Sequence, residues 1–501
     1  VAKVSVEDVN RVARTYLLPS NRTLARFIPT TEPKRAEIPV APSAASLVDG
    51  YTGRAAVAAG EAFDPTPANI QARTDSFVLG DGLRVSLLPK KTRGEMATAT
   101  LVFRFGDEAA ITGRTDAAGY AGSLLMRGSK TLSREQIDKR FDDLKASVSV
   151  DGGPQNAYIT VTTKREHLAE ALALAADVLR NPAFPDSEFE QLREQSITGM
   201  EASRREPGRY VAEAMGKRFN HWPAGHPLAF RTLDENLAAT RAVKLEDVRA
   251  FHRDFYGTAT GEVAVVGDFD PVQMKQQLQE LFTGWKSTRP FARIADSHRP
   301  VAAIHESFET PDKANAVLLA RSEFPLNSND PDYPALSIAN RVFGGGGMAS
   351  RLGDRIRQKD GLSYGVGSQI GVPDRDDNAT FLIQASAAPE NMTRLEAAMR
   401  EELDRFVREG ITAAELADAK DGLLTQMANA RASDGTVASI LRSNLYLDRT
   451  MQWTADNEAA IRALTVEQVN AAIKRHIRPE SLSVFVAGDF AGAARKAGET
   501  K

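Results

Sequence analysis

The sequence predicts an α+β fold of two homologous domains, each a largely antiparallel sheet covered by helices, preceded by the remnant of a further domain. Three observations carry this reading. One segment recurs three times, each long stretch runs strand–strand–helix–helix, and two stretches without a core-forming pattern divide the chain.

The recurring segment sets the frame. Its first copy is Ser5-Val6-Glu7-Asp8-Val9, running to Tyr16-Leu17 and the apolar stretch Thr23 to Ile28. The second is Lys244-Leu245-Glu246-Asp247-Val248, running to Phe255-Tyr256 and Val263 to Val266, closed by Gly267-Asp268-Phe269. The third is Thr465-Val466-Glu467-Gln468-Val469, running to His476-Ile477 and Leu482 to Val486, closed by Gly488-Asp489-Phe490. Each copy reads as a helix opening in a cap-like box, a short turn, and a buried strand. Val248 and Val469 lie 221 positions apart, the length of one unit, whereas Val9 and Val248 lie 239 apart and leave room for a linker. Residues 1–30 therefore read as the terminal helix and strand of a preceding domain, as expected of a chain cut from a longer precursor; the alternative is a swapped or decorative N-terminal arm.

Residues 31–72 follow as a linker: Ile38-Pro39-Val40-Ala41-Pro42-Ser43 leads a run rich in Ala, Gly, Pro and Thr that cannot bury a core. The first complete domain is expected over 73–285, a second linker over 286–300, the second domain over 301–494, and a tail over 495–501. In the first domain, Ser76 to Leu79 and Leu83 to Leu88 flank the turn Gly80-Asp81-Gly82, a hairpin signal. Leu168, Leu172, Ala175 and Leu179 then lie on one helical face, and a Ser187…Glu190 capping box opens the next helix. In the second domain the stripe is Leu395, Met399, Leu403, Phe406 and Val407, ended by Gly410, with a new box at Thr412…Glu415. These stripes are core surfaces rather than cofactor boxes.

The 501 residues are 42% hydrophobic, enough for two to four ordinary cores. Lys plus Arg number 63 against 66 Asp plus Glu, and a net charge of −3 argues against nucleic-acid or anionic-membrane partners. Cysteine is absent, which excludes disulfides, thiolate nucleophiles and cysteine metal sites. No apolar run approaches the roughly 18 residues needed to span a bilayer.

None of the seven histidines is paired i, i+4 on a helix with a glutamate between, as a zinc helix requires. His221 and His226 are separated by Trp222-Pro223-Ala224-Gly225, which precludes a regular helix, and His167 and His252 sit in helical patterns where packing is the default. Gly344-Gly345-Gly346-Gly347 lacks the Lys-Ser or Lys-Thr of a phosphate loop and reads as a flexible or closely packed turn before a helix capped near Ser350.

That region carries a family resemblance. Gly344 through Ser350-Arg351-Leu352, Arg357, and Gly361-Leu362-Ser363-Tyr364 resembles the C-terminal-domain signature of the M16 (insulinase/pitrilysin) zinc peptidases, with Arg357 and Tyr364 spaced like the family's arginine–tyrosine pair. His221 to Pro227, Phe251 to Tyr256 and Val263 to Phe269 resemble the close of an M16 domain, and Phe63 to Arg73 the lead-in to the third domain of four-domain bacterial members. The family's zinc helix carries His-x-x-Glu-His. Counting back from Gly128-Ser129, this chain has Gly119, Gly122 and Ser123 at those positions, and Gly199 near the third ligand. A catalytic zinc needs three protein ligands and a base, so none is expected in this chain.

The resemblance implies that Tyr364 stabilises the oxyanion and Arg357 positions the peptide backbone, acting in trans on a zinc site in a partner chain from the same precursor. Unfolded peptides are the implied substrates, and the periplasm is favoured over the cytoplasm. The alternative is a catalytically silent M16-like scaffold or binding subunit.

Overall fold

The computed structural model describes residues 5–25, 59–80, 82–258 and 260–499. The chain forms two units, Val1–Ala56 and Val57–Lys501. In the first, Ser5 caps the helix Val6–Tyr16 through a reciprocal box: its hydroxyl accepts from the Asp8 N–H at 3.1 Å, and Asp8 accepts from the Ser5 N–H at 3.1 Å. No residue of this helix is buried. The strand expected from Thr23 to Ile28 falls partly outside the described residues, and Thr23, Leu24 and Ala25 have no regular structure.

The second unit opens with the helix Pro67–Arg73, capped by Thr66, and Ile70 is fully buried against Leu88, Ala264 and Val266. The end of the expected 31–72 linker is thus a packed helix, started by Thr66-Pro67. The six-stranded first sheet contains β1 (Asp75–Leu79), β2 (Leu83–Pro89), β3 (Met96–Arg104), β4 (Ser147–Gly152), β5 (Asn156–Lys164) and β6 (Gly261–Gly267) in the order β1-β2-β6-β3-β5-β4. The five-stranded second sheet contains β7 (His305–Glu309), β8 (Ala316–Phe324), β9 (Gly365–Gly371), β10 (Ala379–Ala387) and β11 (Ser483–Gly488) in the order β7-β11-β8-β10-β9. Each has one parallel pair, β2/β6 and β7/β11, and is otherwise antiparallel. Laid over one another the orders coincide, with β1 the extra outer strand of the first sheet. The β1–β2 hairpin closes Leu79 onto Leu83, and the positive φ of Gly80 and Gly82 explains why glycines flank the turn.

Both sheets are covered on two faces. The helix Arg165–Arg180 buries Leu168, Leu172, Ala175 and Leu179 in the first core, and Met392–Glu409 buries Leu395, Met399, Leu403 and Phe406 in the second. The remaining faces are exchanged. Val437, Ala438 and Leu441 of the helix Asp434–Leu447 pack on Leu88, Ala264 and Val266 of the first sheet, while Val211 and Phe219 of Pro207–Phe219 pack on Phe485 and Ala487 of the second. Strands β6 and β11 consequently read as continuous apolar runs rather than alternating ones.

Local start signals hold at Thr412/Glu415 and Thr465/Gln468, where reciprocal boxes form. Two differ. The helix over Ser187 begins at Asp186 with Pro185 as its cap and no side-chain cap bond, because Ser187 already lies inside the helix and Glu190 pairs with Arg193. The helix Leu245–Phe255 likewise has Lys244 at its cap and no side-chain bond there.

Candidate functional site

Strand β4 is one outer strand of the first sheet, and the helix Thr115–Ser123 lies against it. Their approach depends on glycine. A Cβ on Gly122 would stand 2.1 Å from the Gly152 carbonyl oxygen and 2.5 Å from its nitrogen. A Cβ on Gly152 would in turn stand 2.3 Å from the hydroxyl of Tyr256. That tyrosine is buried, stacks on Phe105 with ring centroids 4.9 Å apart, and its hydroxyl has no hydrogen-bond partner among the described residues; burial pushes the phenol far up from its ordinary pKa. The helix, the strand edge and the phenol form three close layers. Any side chain at position 122 would displace β4.

Gly119 faces open space, Ser123 is exposed, and Gly199 lies exposed in the helix Asp186–Ser203 with nothing near its Cβ position. These four positions offer one hydroxyl and no carboxylate or imidazole. Among the described residues no group of three or more His, Asp or Glu could hold a metal ion. A zinc ion does not fit this arrangement. His221 and His226 do not converge either: their Nε2 atoms lie 3.2 Å from Asp296 and 3.3 Å from Glu108, within ion-pair range but not aligned for hydrogen bonds. The His226 ring stacks on Trp222 at 3.9 Å. His252 is a packing residue, its Nε2 2.8 Å from the Leu179 carbonyl oxygen.

The matching place in the second sheet holds the glycine run. Arg341–Gly345 forms a wide π-type turn, and a Cβ on Gly344 would stand 2.5 Å from the Ser368 hydroxyl of β9. The closely packed reading of this turn is the observed one. Ser350 caps the next helical segment, its hydroxyl accepting from the Gly353 N–H at 3.2 Å. Gly353–Lys359 is a second π-type stretch, a geometry that recurs at functional sites.

Its charged residues divide sharply. Arg351 makes a forked pair with Glu415 at 2.6 and 2.8 Å and also donates to the Gly410 carbonyl. Burial pushes the Glu415 carboxyl up, but hydrogen bonds from Arg351 and the Thr412 backbone outweigh it and leave the pKa low. Arg355 pairs with Asp360 and Glu401, and Lys359 with Asp354. Arg357 alone in this block has no carboxylate partner among the described residues, and its guanidinium carbon lies 5.9 Å from the Tyr364 ring centroid. Tyr364 is 91% exposed, so it is not a packing tyrosine.

The backbone around Tyr364 is nonetheless fixed. The buried Ser363 hydroxyl lies 2.5 Å from the Ser386 carbonyl oxygen of β10 and accepts from the Gly365 N–H at 2.9 Å. Tyr364 therefore projects from the clamped head of β9, which among the described residues pairs with β10 and is the outermost strand of its sheet.

Two family models match. Residues 87–228 match the insulinase (peptidase family M16) model, and residues 242–423 match the peptidase M16 inactive domain. The chain belongs to the M16 peptidase family. Within it, curated relatives carry zinc-protease names, whereas a Helicobacter pylori protein 21% identical over 77% of this chain and 87% of its own length is named a non-peptidase homolog. Among solved structures, an M16 inactive-domain protein from Pseudomonas fluorescens superimposes with a TM-score of 0.72 at 23% identity, over 83% of this chain and 97% of that one. The periplasmic protease PqqL from Escherichia coli aligns with 97% of this M16 chain at a TM-score of 0.65 and 16% identity, and the match spans 50% of PqqL. No helix among the described residues is long and apolar enough to cross a membrane.

Of the sequence-selected residues, Arg357 and Tyr364 come together, and Gly122 acquires a physical role. Gly152 and Tyr256 complete the closed layer; the sequence marks Tyr256 only as the close of a recurring segment, and the Gly152-Gly153 pair at a strand end is the readable signal for the other.

Proposed function

We propose that this M16 chain is the non-zinc half of a two-part metallopeptidase, closing a chamber on a zinc-bearing partner and contributing Arg357 and Tyr364 to peptide hydrolysis. The observation that carries the reading is an arginine without a carboxylate partner among the described residues, beside an exposed tyrosine, at the head of the outermost strand of the second sheet. An unfolded peptide can add to such an edge through its main chain. The Tyr364 hydroxyl then donates to the oxygen that becomes negative when the scissile carbonyl is attacked, and the forked donors of Arg357 hold a neighbouring carbonyl. All metal chemistry belongs to the partner. The match to half the length of PqqL supports a two-halves arrangement, and that protein's compartment supports the periplasm. Peptide hydrolysis by the mixed chains, with wild-type and Tyr364→Phe versions of this one, tests the proposal. An unchanged turnover number for the variant refutes the role of Tyr364.

A second reading has its own support. The layer at Gly122, Gly152 and Tyr256 and the name of the Helicobacter pylori relative favour a catalytically silent scaffold. That reading requires a partner as active alone as in the complex.

A further inference from the structure

A cavity of about 470 Å³, within the size range of small-ligand sites, lies where the two M16-type domains meet. Phe219 ends the helix Pro207–Phe219 of the first domain, Phe324 ends β8, and His298 comes from the segment between the domains. Arg475 and His476 belong to the last turn of the helix Val466–His476, and Arg478 to the turn that follows it. The lining is apolar in one part and cationic in another. Phe219 and Phe324 are at most 8% exposed. The Arg321 guanidinium carbon lies 4.6 Å from the Phe219 ring centroid, and the His476 ring lies 5.3 Å from that of Phe324.

The charges around this cavity do not balance. Arg475 and His476 share the Asp332 carboxylate, the histidine through Nε2 at 2.8 Å, and Glu323 pairs with Arg321. Arg475 is accounted for, since a cation in the last turn of a helix also meets the negative end of its dipole. Arg478 lies beyond that end, and among the described residues its side chain makes no ion pair and no hydrogen bond. Three guanidinium groups thus stand against two carboxylates, before any charge on either histidine. Two polar atoms are unmet as well: His298 Nδ1 and Arg321 Nε are buried and have no hydrogen-bond partner among the described residues. A buried polar group left unpaired is a cost that a polar ligand can lift.

A singly charged anion on an apolar body suits both parts of the lining. A carboxylate accepts a forked pair from a guanidinium. A phosphate monoester would bring nearly two charges and nothing to cover the rings. We propose that the cavity binds the terminal carboxylate of a peptide whose last side chain is large and apolar, with Arg478 on the carboxylate and that side chain against Phe219, Phe324 and Pro325. The bound terminus bridges the domains, because Phe219 and Arg478 belong to different ones. The site shares no residue with Arg357 and Tyr364 and does not depend on the two-part reading. A free apolar amino acid has the same chemistry as a peptide terminus, and the test separates them.

The full chain is titrated with a fluorescein-labelled hexapeptide ending in Phe, as the free acid and as the amide, read by anisotropy. Wild type is compared with Arg478→Ala and Arg478→Lys. Arg478 is exposed, so neither variant unfolds the chain, and an unchanged melting temperature verifies it. The free acid binds wild type. Amidation or Arg478→Ala lowers affinity about 10–100-fold, as expected for a charge-assisted pair. The two changes together cost no more than either alone. Arg478→Lys, which keeps the charge and loses the fork, falls between. Equal affinity for acid and amide, wild-type affinity in Arg478→Ala, or no binding of the free acid overturns the inference. Competition by N-acetylphenylalanine as strong as that of the unlabelled hexapeptide overturns the peptide assignment in favour of a free apolar acid. Tyr364→Phe binds the hexapeptide like wild type, and weakened binding there would move the peptide to β9 and overturn the site.

Discussion

Gly119 and Gly122 sit three residues apart in one helix, and the closed layer predicts opposite responses to the same substitution. At Gly119 an added Cβ meets nothing within 4 Å, so Ala there only restricts the unfolded chain and improves helix propensity. Gly119→Ala should stabilise by about 0.5–1 kcal/mol. At Gly122 the same helical gain applies, but the Cβ arrives 2.1 Å from the Gly152 carbonyl oxygen, which is strand backbone and not the end of a flexible side chain. The strand must move, and it can move inward only onto the unpartnered Tyr256 hydroxyl. Overpacking of this kind costs about 1–3 kcal/mol and outweighs the propensity gain. Thermal and urea unfolding of the two variants beside wild type provide the assay, read as shifts of the same transition. Gly119→Ala should melt higher and Gly122→Ala lower. A neutral or stabilising Gly122→Ala would mean that β4 does not close the helix face, and the closed layer of Gly122, Gly152 and Tyr256 would fall.

Tyr364→Phe should leave the melting temperature unchanged, since the ring is exposed, while lowering turnover of the complex by about 10²–10³ in a peptide-cleavage assay. Arg431 and Glu458 are buried with N and O 2.6 Å apart, placed for charge attraction more than for a straight hydrogen bond, and Arg431 also donates to the Pro65 carbonyl. Glu458→Ala, which strands that guanidinium, should cost about 3–5 kcal/mol in chemical unfolding. Burial lowers the His252 pKa to about 4, despite the bond to Leu179, so the folded state holds the ring neutral. Its contribution is therefore complete above the unfolded pKa near 6.5 and is lost as the pH falls toward 4, about 3 kcal/mol in all. His252→Asn should flatten that part of the stability–pH curve, and an unchanged slope would contradict the assignment.

Much of the architecture was legible because periodicity reports one buried face. The Leu168–Leu179 and Leu395–Phe406 stripes, the Gly80–Gly82 hairpin and the terminal strands at Val263 and Leu482 lie where their patterns place them. What was illegible depends on the other face or on distant chain. The exchange of Pro207–Phe219 and Asp434–Leu447 between the sheets is a long-range contact with no local signature. Pro185 opens a helix through its fixed φ, whereas the eye follows the Ser187…Glu190 box. The packed helix at Pro67–Arg73 was hidden in a run whose composition reads as linker. At the candidate site, the absence of imidazole and carboxylate side chains at Gly119, Gly122, Ser123 and Gly199 is legible in the sequence alone. The contact of Gly122 with Gly152 joins residues 30 positions apart and needed the fold.

The most direct test of the central claim is peptide hydrolysis by this M16 chain alone, by the proposed zinc-bearing partner alone, and by the two together, repeated with Tyr364→Phe. The account predicts activity only in the mixture, reduced about 10²–10³-fold by the substitution. A partner equally active alone, or a mixture indifferent to Tyr364, would contradict it and leave this chain a scaffold.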